Sequence, residues 1–210
     1  MPGQVNPKLT VALGYDQIAE AFLRDKQAPS RGLKKAYLDR MTEGLDDGAT
    51  ILDLGCGAGV PSTAYLSDRF VVFGVDISRG QLALARRLVP GPTFVLGDMC
   101  SLAFKRGSFD AVVALYSIIH VPRQEHEPLL NELYHLLRPG GELLAVLGQR
   151  RWEGTEVNWL DLGAEMYWSH FDAKTSLSMV ERAGFRVRSS TVEPDPFDGA
   201  HLFVLAKKPR

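Results

Sequence analysis

Three aspartates and three glycines carry the first sign of chemistry. In ILDLGCGAGVPS, residues 51 to 62, an apolar run ends in Asp53, and Gly55, Gly57 and Gly59 follow at alternate positions. Glycine is costly inside regular structure and useful where backbone turns tightly or lies against a ligand. A second apolar run, VVFGVDIS, ends in Asp76, and a third, FVLGDM, ends in Asp98. A carboxylate at the end of the second strand suits a pair of ribose hydroxyls, and Asp98 is placed for the exocyclic amine of an adenine. The glycine loop departs from the dinucleotide fingerprint G-x-G-x-x-G. Its third glycine comes one residue early, and Asp53 sets negative charge where a phosphate would sit. The expected ligand is therefore cationic or zwitterionic.

Such residues work together only in a frame that gathers strand ends at one edge. The sequence predicts strands at 50–55, 70–76, 92–98, 109–117 and 141–147, most of them separated by stretches of crossover-helix length. Near-continuous apolar runs suit strands covered on both faces, as in a parallel sheet between helical layers. The segment AKTSLSMVERAGF reads as a helix stopped by Gly184. RVRSSTVEP and HLFVLAKK then follow with only the turn-rich stretch Glu193 to Gly199 between them. Two strands in succession pair most simply as an antiparallel hairpin. The expectation is an α/β, doubly wound, mostly parallel seven-stranded sheet with one antiparallel strand near the C-terminus and helices on both faces. Pro61 fits the start of the helix after the glycine loop, where its missing N–H is not needed.

The whole chain, 1–210, is expected to be one domain. Within it, 1–48 reads as a helical lid carrying YDQIAEAFLRDK and GLKKAYLDRMTEGL, 49–147 as the ligand-binding core, 148–171 as a substrate-side lid insertion with no clear period, and 172–210 as the C-terminal helix and hairpin. The composition is 45% hydrophobic and 23% charged, with a formal net charge of -1. Basic residues form no stripe, which argues against a nucleic-acid partner. No apolar run nears the roughly 20 residues that span a bilayer, and the N-terminal stretch MPGQVNPKLTVALG has no leader pattern. A cytoplasmic protein without a membrane partner is expected. Cys56 and Cys100 are too few for a disulfide framework, and without CxxC or His-rich spacing no metal site is expected.

In LDLGCGAG, VFGVDIS, VLGDM, FDAVVALYSIIHV and LRPGGELL, the sequence resembles the class I S-adenosylmethionine-dependent methyltransferases, in family order from about residue 50 to the end. The resemblance implies S-adenosyl-L-methionine as cofactor. It places Gly55, Gly57 and their neighbours under the methionine moiety, Asp76 on ribose, Asp98 and Met99 beside adenine, and Leu115 against the cofactor. Asp53, Cys56, Ile77 and Gln81 complete that set, with Cys56 a small buried residue rather than a nucleophile. YDQIAEAF is similar to the N-terminal helix of members that act on small molecules, and Tyr15 there would close over the cofactor.

The methyl of a sulfonium is already activated, so alignment and exclusion of water are the main requirements, and a base is needed only for an acceptor with a proton of high pKa. Two histidines are candidates for touching the acceptor. His120 follows the fourth strand. His170, in MYWSHFD, returns across the sheet edge and could take a proton near an ordinary imidazole pKa of about 6.5. Tyr116 is the next candidate. His126, His135 and His201 read as surface residues without a role. The rings of Trp152, Trp159, Tyr167, Trp168 and Phe171 suit a partly apolar small-molecule acceptor, or a lid that only excludes water. No N/D-P-P-[YFW] tetrapeptide follows the fourth strand, which favours a small molecule over RNA or protein. A cofactor-binding protein of this fold that does not methylate remains the other alternative. Nothing in the sequence speaks to the oligomeric state.

Overall fold

A computed structural model describes residues 6–25, 31–195 and 199–210. The first five residues, Lys26 at the end of the first predicted helix, and positions 196–198 of the turn predicted between Glu193 and Gly199 lie outside the described residues. The strands are β1 Thr50–Leu54, β2 Val71–Asp76, β3 Thr93–Leu96, β4 Phe109–Ala114, β5 Leu137–Gly148, β6 Trp152–Trp159, β7 Ala164–His170, β8 Arg186–Asp195 and β9 Gly199–Lys207. The helices are α1 Pro7–Asp25, α2 Arg31–Thr42, α3 Ser62–Ser67, α4 Arg79–Leu88, α5 His126–Leu136 and α6 Ala173–Arg182.

Seven strands form one sheet in the order β3-β2-β1-β4-β5-β9-β8, and β6 and β7 pair apart from it. β1 runs parallel to β2 and to β4, and β4 runs parallel to β5. Only β9 is reversed, antiparallel to β5 and to β8. The chain thus winds outward from β1 to β3 and returns to lay β4 on the other side of β1. The crevice beyond the carboxyl ends of β1 and β4 is the switch point where open α/β sheets bind ligands.

Alternation along the central strands divides the core. Leu52 and Leu54 of β1, Val112 of β4 and Leu143 and Ala145 of β5 pack on one face with Leu129 and Leu133 of α5 and Met179 of α6. Ile51, Val113, Leu144 and Val146 pack on the other with Phe203 of β9, Leu66 of α3 and Tyr37, Leu38 and Met41 of α2. Asp53 shares the second face with Ile51, because side chains two apart on a strand point the same way. That geometry carries its carboxylate toward α3.

Several expectations need correction. The insertion at 148–171 contains a β-hairpin, β6–β7, that the sequence did not reveal. β6 is exposed along most of its length and β7 is buried at nearly every position, so neither strand shows the alternation that marks a half-buried strand. The fourth strand stops at Ala114 rather than 117, because Tyr116 takes φ +58 and a short 3-10 turn follows at Ile118–His120. β3 ends at Leu96, two residues before Asp98, and is an edge strand. Of the two N-terminal helices, α2 is built into the sheet's packing, and α1 alone lies across the crevice.

Candidate functional site

The glycine loop folds back on β2. The N–H groups of Gly55 and Cys56 both donate to the Val75 carbonyl, at 2.8 and 3.1 Å. At Gly55 φ is +71, and a Cβ there would stand 2.3 Å from the Cβ of Ser117, so the loop can pass the end of β4 only without a side chain. The Gly57 N–H donates to Oδ2 of Asp76 at 2.8 Å, and the Ser78 N–H donates to Oδ1 at 2.9 Å. Asp76 is therefore held by backbone on both oxygens. Burial still pushes its carboxyl up to about 6, against the pull of those N–H groups. Asp53 is 2% exposed and accepts the Thr63 hydroxyl at 2.6 Å. Burial raises it to about 6 as well, and the nearby Asp76 charge adds to the rise. Cys56 is buried beside both acids, and its thiol is pushed well up, which leaves it no thiolate character.

Asp53, Gly55, Cys56, Gly57, Asp76, Ile77, Gln81, Asp98, Met99, Leu115, Tyr15 and His120 all line one cavity. Both polar atoms of the Gln81 side chain are buried without a hydrogen-bond partner among the described residues, and so is Oγ of Ser117. A buried primary amide left unsatisfied costs about 1–3 kcal/mol, so these groups are set for a polar ligand. The acids, the bare loop backbone and the orphaned amide fit an adenosyl amino acid. With α1 seated the cavity measures about 140 Å3, below the roughly 300 Å3 at the low end of small-molecule pockets.

α1 is tied down by residues that the sequence did not single out. Lys8 donates to Oδ2 of Asp98 at 2.7 Å and to Oε2 of Glu125 at 2.5 Å. Burial works against its charge, but the two carboxylates hold its pKa above the usual lysine value. Asp98 also accepts the Cys100 N–H at 2.9 Å. Asp16 accepts the Ser78 hydroxyl at 2.6 Å and the Gly80 N–H at 2.8 Å, at the start of α4. The Tyr15 hydroxyl lies 3.1 Å from Nε2 of His120, whose Nδ1 lies 2.7 Å from the Tyr167 carbonyl. A carbonyl only accepts, so Nδ1 carries the proton and Nε2 takes the hydrogen of Tyr15. Burial lowers His120 to about 4 and raises the Tyr15 phenol above its ordinary value. Lys34 of α2 also reaches the cavity, its ammonium 5.0 Å from the centroid of the Tyr116 ring. Ser117, Lys8, Asp16 and Lys34 act on partners far off in sequence, which leaves no local spacing to find them by.

His170 is not brought to this cavity. It is buried at the end of β7, its Nδ1 donates to the Arg150 carbonyl at 2.5 Å, and it lines a separate cavity between the hairpin and β9. His126 and His201, read from sequence as surface residues, are each 3% exposed. The His126 ring turns inward to the Val121 carbonyl at 2.8 Å, and His201 begins the buried run of β9. His135 is exposed. Of the aromatic residues, Trp159, Tyr167 and Trp168 are buried, with Trp159 5.7 Å from Tyr15, while Trp152 is 52% exposed. Among the described residues no helix is long and apolar enough to cross a membrane.

Residues 51–141 match a family model described as a methyltransferase domain. The chain is 36% identical over 119 residues to Methyltransferase GfsG of Streptomyces halstedii, a match covering 50% of this chain and 42% of that protein. It is 33% identical over 138 residues to the demethylmenaquinone methyltransferase of Beutenbergia cavernae, covering 64% of this chain and 56% of the relative. The chain spans about half the length of these curated relatives. In fold it is similar to magnesium protoporphyrin IX methyltransferase from Synechocystis, solved with bound SAM, at TM-score 0.75 and 18% identity over 99% of this chain and 100% of that one. The matched segment runs from the glycine loop into the fifth strand, where most of the cavity is built, and over those residues the chain is similar to methyltransferase domains.

Proposed function

We propose that the protein transfers a methyl group from S-adenosylmethionine to a small-molecule acceptor by direct in-line displacement. What carries this reading is one cavity onto which Asp53, Asp76 and Asp98 open together with the unpartnered amide of Gln81. Asp53 would hold the ammonium of the amino-acid end, Asp76 and Gln81 the ribose, and Asp98 and Met99 the adenine. The cofactor, when bound, supplies a methyl already activated by its sulfonium. The chain's part is orientation and exclusion of water, and orientation alone is worth up to about 7–11 kcal/mol of such a barrier.

Tyr15, Phe22 and His120 line the cavity as a ring-lined roof, with Trp159 and Trp168 packed behind them, which suits a partly apolar acceptor. No strong base faces the cavity from this roof. Tyr15 stays a phenol, and His120 is neutral near pH 7 with its one lone pair committed to Tyr15. His120 is then a positioning residue that seats Tyr15 and with it α1. An acceptor that arrives ionised, or with a free lone pair, fits this chemistry without proton abstraction. The relatives' names, which include demethylmenaquinone and trans-aconitate methyltransferases, favour a small molecule.

Calorimetry with S-adenosylhomocysteine tests the reading. The wild type should bind it, and Asp76→Ala should weaken binding by about 1.5–3 kcal/mol, the scale of hydrogen bonds to a charged partner, while the variant stays folded by circular dichroism. Absence of binding to the wild type, or equal binding by the variant, overturns the assignment.

A further inference from the structure

A second cavity lies one strand further along the same sheet edge. It measures about 280 Å3, near the roughly 300 Å3 at the low end of small-molecule pockets. Ala200 and His201 at the start of β9, with Trp168 and His170 of β7, form its interior, and Arg150 and Trp152 stand at its mouth. His201 pairs with Gly148, the last residue of β5, which fixes the cavity at the carboxyl edge beside the first. Paired rings stand between the two. The Tyr116 ring meets His201 edge-on at 5.2 Å, and the His120 ring lies 4.3 Å from Trp168. Tyr116 and His120 line the first cavity, and His201 and Trp168 line the second.

The second cavity is rich in donors. The Trp168 indole N–H is buried without an acceptor among the described residues. The Arg150 guanidinium, at the mouth, has no carboxylate partner among them. Two carboxylates are close, and neither meets these donors: Asp195 lies 3.9 Å from Nδ1 of His201, and Glu156 borders the cavity on the exposed strand β6. A guanidinium favours a ligand whose oxygens are charged and coplanar. The two indoles add flat apolar surface. The site therefore asks for an acid group on a planar frame.

We propose that this cavity binds a small molecule by a carboxylate carried on a flat, ring-like frame, the acid meeting Arg150 and the frame lying among Trp152 and Trp168. This acid preference does not depend on the methyl-transfer reading above.

The test titrates 4-hydroxybenzoate, 4-hydroxybenzamide and inorganic phosphate separately into the full chain, following tryptophan fluorescence and heat. The acid should bind at least ~10-fold more tightly than the amide or phosphate, the scale of one charge-assisted hydrogen bond. Arg150→Gln, a change at the exposed mouth that leaves the fold intact, should remove most of that preference. Equal binding of acid and amide, phosphate binding as well as the acid, an Arg150→Gln protein that still prefers the acid, or no acid binding up to millimolar concentration overturns the proposal. S-adenosylhomocysteine titrated into the same proteins separates the two readings. If it binds and no acid preference is found, the acid cavity falls alone. If acid preference is found and it does not bind, the methyl-transfer reading falls and the acid cavity stands.

Discussion

Asp53→Asn keeps the shape of a buried side chain and removes its charge. The carboxylate is 2% exposed, accepts the Thr63 hydroxyl at 2.6 Å, and lies near the Asp76 carboxylate on the neighbouring strand end. Burial lifts its pKa from 3.8 to about 6. The folded chain then binds the proton more tightly than the unfolded chain does. Stability from this group is full below about pH 4, declines as pH rises toward 6, and is lower by about 3 kcal/mol at pH 7.5. Asparagine has no such dependence, and its carbonyl oxygen still accepts from Thr63. Its new NH2 is left without an evident acceptor, which costs about 1–2 kcal/mol in return. The variant should therefore be about 1–2 kcal/mol more stable than the wild type at pH 7.5, or about 2–8 °C in Tm for a chain of this size. At pH 4 that advantage should vanish or reverse. Scanning calorimetry at both pH values, with and without S-adenosylhomocysteine, reads stability and binding together. The wild type should gain Tm on adding the ligand at pH 7.5, and the variant should gain little. A variant less stable than the wild type at pH 7.5, or a difference that does not change with pH, refutes the view of Asp53 as a charge held at the expense of stability for a cationic ligand.

Because Asp53 and Asp76 both titrate near 6 and the ligand's ammonium favours ionised acids, S-adenosylhomocysteine affinity should hold from pH 8 to about 6.5 and fall below 6; calorimetry across that range with no such fall would remove the two acids from the site. Lys8→Ala frees Asp98 and Glu125, so α1 amides should exchange faster by hydrogen-exchange mass spectrometry while those of α2 stay as before. Equal exchange in α1 would mean that Lys8 does not hold the helix. Leu52→Ala, at a position with no exposure in the central strand, should cost about 2–5 kcal/mol in urea unfolding, and a cost below 1 kcal/mol would mean that this core face repacks freely.

How much of this could be read from sequence follows from where each contact lies along the chain. The central strands were legible because burial on both faces turns them into unbroken apolar runs, and the acids at 53 and 76 were legible because they end those runs. Asp98 was found by the same reasoning although β3 stops two residues earlier, since the loop carries it onward to the same edge. The β6–β7 hairpin was hidden because one strand faces water and its partner faces protein, so the pair has no common pattern. Lys8, Asp16 and Ser117 reach partners between 62 and 117 residues away, and composition near them says nothing of that. The inward turn of His126 and His201 depends on helix and sheet packing that a residue type cannot announce.

The β6–β7 ribbon has a use beyond covering the crevice. Its ladder hydrogen bonds are made between its own two strands, and it joins the rest of the molecule through the Tyr167 carbonyl's contact with His120 and through side chains such as Met166 and Trp168 against α1 and the turn at Ile119. No ladder of the seven-stranded sheet passes through it, so altering its length or sequence leaves the register of β5 against β9 untouched. The ribbon is in that sense an exchangeable cassette. Designed variants can trade residues 152–170 while the glycine loop and the ends of β1 and β2 stay whole, and the tolerated trades are those that keep an apolar strand under α1.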